Sequence, residues 1–171
     1  MLNYLINHSP LLYLGQSFWR DEAFSVLVAE RPVLTFFTKL GFEPPVYYLL
    51  LHFWMKIFGE SEIATRSLSL LGFGLATAVV IIWAEKLFKK SYFSWYLPLL
   101  FFLNPMLLYY AFEVRTYAWY TLFAVLSMYA LLEKKWILYA VSAILGFYTH
   151  TYFIFLILIH GIYFGLTNYG I

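Results

Sequence analysis

Between residues 136 and 166 the chain runs for 31 residues without a formal charge at neutral pH. Three other stretches do the same: 68–84 (17 residues), 92–112 (21 residues) and 117–132 (16 residues). A helix that crosses a bilayer needs about 20 mainly apolar residues, within a range of about 17–25. Two of these stretches, 68–84 and 92–112, qualify alone, and 117–132 qualifies once its flanks are added. The stretch 136–166 is too long for one crossing and barely enough for two, with Thr149-His150-Thr151 as the natural break. Only 12% of the chain is charged, against about 25% in an ordinary soluble domain. At 63% hydrophobic, such a chain cannot cover its surface with polar groups. This composition excludes a disordered chain, a basic nucleic-acid-binding domain and an ordinary cytosolic enzyme. There is no cysteine, hence no disulfide framework and no thiolate metal site.

The few charges are sorted along the chain. Five of the seven lysines fall in two clusters, Lys86, Lys89 and Lys90, then Lys134 and Lys135. The positive-inside rule places both clusters on the cytoplasmic side. Residues 1–67 then lie outside, with Asp21, Glu22, Glu30, Glu43, Glu60 and Glu62, and Glu113 and Arg115 emerge on that same side. The expected fold is all-α: a polytopic transmembrane helix bundle of four to five spans, with interfacial helices in the first outer loop. Residues 1–67 would be a remnant of a first helix plus that loop. Residues 68–171 would supply spans at about 68–86, 92–112, 115–132, 136–149 and 151–167. In the loop, Asp21 can N-cap a helix reaching Glu30, and a second piece runs over 33–40 to Gly41. Pro44-Pro45 opens a third helix that Gly59 closes, and Glu62 and Arg66 have the spacing of an i,i+4 pair. No Lys or Arg precedes Arg20, so the N-terminus does not read as a signal peptide.

Four constellations carry possible chemistry. Asp21 is the only aspartate. Among Phe18, Trp19 and Phe24 it suits a general base, with Glu22 beside it; helix capping is the competing role. Glu113-Val114-Arg115-Thr116-Tyr117 sits between two apolar stretches, where ionisable groups mark a functional cavity or a structural ion pair. Arginine there suits phosphate or carboxylate. Glu43-Pro44-Pro45-Val46-Tyr47-Tyr48 is a rigid entry to an aromatic helix. His150 is a turn residue or a substrate contact, while His52 and His160 read as packing residues. No spacing suggests a metal site, and there is no glycine-rich phosphate loop, nucleophile elbow or nucleotide fingerprint.

These pieces fall in a recognisable order. Trp19-Arg20-Asp21-Glu22-Ala23, Pro44-Pro45-Val46-Tyr47-Tyr48, Phe58-Gly59-Glu60-Ser61, Arg66-Ser67-Leu68-Ser69 and Glu113-Val114-Arg115-Thr116-Tyr117, with Thr149-His150-Thr151-Tyr152, cover residues 19 to 152. Together the set resembles the GT-C membrane glycosyltransferases, and among them the protein O-mannosyltransferase and aminoarabinose transferase superfamily. The resemblance implies an integral membrane enzyme, in the plasma (inner) membrane of a prokaryote, with its active site facing outward. It would transfer a hexosyl or pentosyl group from a polyprenyl- or dolichyl-phosphate-linked donor to a hydroxyl on a glycan, lipid or protein acceptor. It implies Asp21 as catalytic base and Glu22 as its support. Arg66, Glu113, Arg115, Tyr117, Tyr47 and His150 would contact substrate. No cofactor is implied, a divalent metal has no support in the sequence, and nucleic acid is not an expected partner. Two departures stand out. Glu43 occupies a position where relatives commonly carry His or Lys. Family members also run to several hundred residues, so the chain corresponds to the N-terminal portion. The alternative is a catalytically incomplete membrane module acting as scaffold, partner subunit or lipid binder.

Overall fold

The computed structural model describes residues 10–38, 44–89 and 91–169. Expectations that rest on residues 1–9, on Gly41 and Glu43, and on Lys90 lie outside those residues. The structure is all-α, 79% helical, with no strand among the described residues. A 3-10 turn, Pro10–Gly15, leads into α1 (Arg20–Ala29), followed by the single turn α2 (Thr35–Thr38), α3 (Pro45–Phe58) and α4 (Glu62–Leu87). A second 3-10 turn, Tyr92–Trp95, precedes α5 (Tyr96–Phe102) and α6 (Pro105–Ala111). The chain ends in α7 (Tyr117–Leu132), α8 (Trp136–Phe147) and α9 (Phe153–Tyr169).

Local chemistry sets most of these boundaries. Pro45 stands at the first position of α3, where its missing N–H costs nothing. Gly59 ends α3 at φ 87°, its N–H bonded to the Met55 carbonyl at 2.8 Å. The Ser61 hydroxyl accepts the Ala64 N–H at 3.2 Å and so starts α4. The cap of α1 corrects the sequence reading. Asp21 lies inside the helix, Trp19 occupies the N-cap, and the Trp19 N–H is taken by Glu22 Oε2 at 3.4 Å. The expected span 92–112 is likewise not one helix. Asn104 Oδ1 accepts the N–H groups of Met106 and Leu107 at 3.0 and 3.2 Å, with Pro105 at the next position, so a fresh helix begins there. The break near residue 150 falls as expected. The N–H groups of Thr149 and His150 both fold back onto the Gly146 carbonyl, at 3.1 and 3.0 Å.

Among the described residues α4, with 26 residues, is the one helix long and apolar enough to cross a membrane by length and composition. Helices α7, α8 and α9 lie where spans were expected and, at 16, 12 and 17 residues, are each shorter than α4. Helix α7 is the centre of the packing, laid along α4 on one side and α8 on the other. Gly72 of α4 allows this approach: Trp119 lies directly against it and donates its indole N–H to the Leu68 carbonyl at 3.1 Å. Three apolar clusters result. One joins α1, α2, α3 and Leu68, one surrounds Phe73 and Phe112, and one holds Phe123, Ala143 and Phe153. The two described lysine clusters meet at one end of the bundle. Lys86 pairs with Glu133, and Lys86 and Lys135 lie 5.4 and 4.9 Å from the Tyr129 ring centre.

Among the described residues, 40 large hydrophobic side chains are exposed, whereas 24 hydrophobic residues are buried. An apolar exterior of that extent marks a partner or a lipid surface rather than a water-facing one. Inside, the packing leaves no slack at the α8–α9 turn, where a methyl group on Gly146 would overlap the fully buried Phe153 ring. Gly146→Ala should therefore cost about 1–3 kcal/mol, read as a lower melting temperature in detergent. An unchanged melting temperature would mean that Phe153 does not sit over Gly146.

Candidate active site

The first turn of α1 sets Asp21 and Glu22 on different sides of the helix, and their surroundings diverge completely. Glu22 is 1% exposed and turns inward. Its carboxylate receives Arg66 Nε at 2.9 Å and Nη2 at 2.6 Å, a bidentate pair across 44 residues of sequence. The Val114 N–H also donates to Glu22 Oε1, at 3.0 Å. Arg66 spends its remaining reach on the carbonyls of Leu14 and Gln16, at 3.1 and 2.6 Å. Arg66 was paired with Glu62 by spacing, yet its hydrogen bonds all go elsewhere, and at 3% exposure it forms a buried staple. The staple ties α1, α4, the first 3-10 turn and the segment before α7 to one point.

Asp21 faces outward, with its side chain 38% exposed. Arg115 Nη1 reaches Asp21 Oδ2 at 3.2 Å. The guanidinium lies between two rings, 5.6 Å from the centre of Trp19 and 4.7 Å from that of Tyr117. Both distances suit cation–π contact, which holds the charge in place while leaving N–H groups for an anion. Beyond Tyr117 comes His150, whose ring centre is 5.8 Å from Tyr117, 5.5 Å from Tyr120 and 5.1 Å from Tyr152. His150 Nδ1 accepts the Tyr152 N–H at 3.3 Å.

Asp21, Arg115, Tyr117 and His150 line one cavity of about 490 Å³, within the range of about 300–1,000 Å³ typical of ligand pockets. The sequence-derived set is thus partly assembled and partly redistributed. Tyr47 is fully buried in the first core cluster, and its neighbour Tyr48 supplies the pocket wall. Thr116, Thr149 and Ser25 also reach the wall. The polar motif residues flanking Arg115 and His150 were the available signal for the two threonines; nothing in the sequence singles out Ser25.

Glu113 departs from its motif partners. The Arg115 N–H bonds to the Glu113 carbonyl at 2.9 Å in a tight turn, and that carbonyl also accepts the Ser69 hydroxyl at 2.5 Å. The Glu113 side chain then points to a second, smaller cavity of about 170 Å³, shared with Trp19, Tyr109 and Arg66. Burial pushes the Glu113 carboxyl above the usual carboxylate range, against the opposing pull of the Tyr109 hydroxyl and the Arg115 charge. Among the described residues no group of three or more His, Asp or Glu side chains is placed to hold a metal ion.

Chemically, the larger cavity combines an accessible carboxylate, a ring-clamped guanidinium and an imidazole, drawn from α1, the entry to α7 and the α8–α9 turn. Compared with protein-family models, with curated proteins and with solved structures, the chain matches none.

Proposed function

We propose that the chain is a GT-C type glycosyltransferase, or the N-terminal module of one, moving a sugar from a polyprenyl-phosphate-linked donor to a hydroxyl acceptor. The observation that carries this reading is the meeting of Asp21, Arg115, Tyr117 and His150 on one cavity. Asp21 takes the proton of the acceptor hydroxyl, whose oxygen attacks the anomeric carbon. The bond from that carbon to the phosphate oxygen breaks, and polyprenyl phosphate leaves with its electron pair. Arg115 neutralises the phosphate, a task that its planar fork performs better than a lysine. Glu22 and Arg66 act as positioning residues, because their staple sets α1 against the Arg115 turn. His150 and Tyr48 shape the acceptor side of the cavity.

The polytopic membrane placement belongs to the same proposal and is supported by the apolar exterior. The cavity lies at the first turn of α7 and the lysine pair at its last. With 16 residues and about 1.5 Å of rise per residue, α7 separates them by about 24 Å. The cavity then faces outward from a prokaryotic plasma membrane, where lipid-linked donors and glycan, lipid or protein acceptors are in reach.

The test is release of labelled polyprenyl phosphate from a polyprenyl-phospho-sugar by the protein in nanodiscs. Arg115→Lys should raise the KM for donor by about tenfold, the equivalent of one charge-assisted hydrogen bond. A correctly inserted, folded protein that releases no lipid phosphate overturns the transferase reading.

A further inference from the structure

The smaller cavity is closed by Glu113, Tyr109, Trp19, Tyr13 and Gln16, beside the larger cavity rather than inside it. Its chemistry is unusual in one respect. Glu113 is only 5% exposed, and its Oε2 is buried with no hydrogen-bond partner among the described residues. Leaving such an atom unpaired costs about 1–3 kcal/mol, and native proteins rarely tolerate that without a use for the atom. The walls are aromatic: Tyr13 and Tyr109 meet edge to face at 6.3 Å, and Tyr13, Trp19 and Tyr109 are each nearly half exposed. The Glu22 and Arg66 charges on the floor cancel each other in their ion pair.

We propose that this cavity is a binding site for a single uncharged polyhydroxylated ring, held by the Glu113 carboxyl and stacked on the Trp19 and Tyr109 rings. This deepens the transferase reading and rests on it, because it gives the sugar moiety a place of its own next to Asp21 and Arg115. Size and chemistry select the ligand. About 170 Å³ falls below the lower bound of about 300 Å³ for drug-sized sites, so one ring fits and an extended ligand does not. Burial disfavours the charged form of the carboxyl, and in either form it accepts from a sugar hydroxyl. The C–H face of a pyranose or furanose ring covers the aromatic walls. A metal ion requires a set of about six or more oxygen ligands, and burial, which disfavours a charged carboxyl, works against an ammonium group.

The test uses saturation-transfer NMR with the full chain in nanodiscs and the methyl glycosides of common hexoses and pentoses as probes. Glu113→Gln keeps an acceptor, so binding should stay within about threefold of the unsubstituted protein. Glu113→Ala should weaken binding about tenfold, the loss of one hydrogen-bonded pair. The Tyr109 hydroxyl faces the Glu113 carboxyl, so melting temperatures are read beside binding: Glu113→Gln should match the parent, and it carries the comparison if Glu113→Ala melts lower. Mg²⁺ and methylammonium are added as competitors and should not displace the glycoside. The proposal is overturned by a folded protein that transfers saturation to no glycoside, by alanine and glutamine behaving alike, or by displacement with either cation. Lipid-phosphate release is a separate readout, so glycoside binding without release refutes the transferase reading alone.

Discussion

Replacing Glu22 or Arg66 with alanine should prevent the protein from reaching its folded state. Either change strands the other charge in the interior, since Glu22 and Arg66 are 1% and 3% exposed. Breaking one side of a buried pair costs about 3–5 kcal/mol, a large share of a total stability of about 5–15 kcal/mol. Glu22→Ala also removes the acceptor for the Val114 N–H, and Arg66→Ala removes the donors to the Leu14 and Gln16 carbonyls. The measurement is helical circular dichroism and thermal melting in mild detergent. The double variant Glu22→Met/Arg66→Leu should melt above either single variant, because an apolar pair of similar volume leaves no orphaned charge. Single variants that melt like the parent protein would show that the pair is not closed in solution.

Asp21→Asn, one residue away, should have the opposite profile. Polyprenyl-phosphate release should fall by about 10²–10⁴-fold, the usual contribution of a positioned general base. Stability should barely change, because the Asp21–Arg115 pair is partly exposed, at 38% and 27%. Such pairs contribute about 0–1 kcal/mol. Asp21 carries no capping load either, since the Trp19 N–H bonds to Glu22. The two adjacent acids should thus separate: substitution of Glu22 is expected to act on the fold, substitution of Asp21 on lipid-phosphate release. Full transfer by Asp21→Asn sinks the base assignment. A loss of folding in that variant would return Asp21 to a structural role.

Where the chain's own composition decides the outcome, the sequence was legible. Helices α7 and α8 start and α7 ends at the charges and polar residues that bound their uncharged stretches, α8 and α9 part around Thr149-His150-Thr151, and Gly59 closes α3 as its position implied. What the sequence concealed is pairing at a distance. Arg66 has an acid four residues earlier, and only the fold brings Glu22 to it from 44 residues away. The split between Tyr47 and Tyr48 was hidden for another reason: adjacent helical residues point about 100° apart, and both are tyrosine, so residue type cannot rank them. The division of the Glu113 motif has the same origin. A tight turn, with the Arg115 N–H on the Glu113 carbonyl, sends residues two apart to different cavities. The interruption of 92–112 was visible in Asn104-Pro105 but was outweighed by the run's length.

The main-chain bond from the Val46 N–H to the Tyr148 carbonyl, at 2.9 Å, has a bearing on synthesis. It fastens the entrance of α3 to the turn carrying His150, and the Val114 bond to Glu22 spans a further 92 residues of sequence. Contacts of such long range form late, because a large loop must close before they add any stability. As the chain leaves the ribosome, α1 and α3 must wait for the α8–α9 turn before their wall of the cavity can set. A nascent chain halted before residue 148 would hold Asp21 and Arg115 without the tether that frames them.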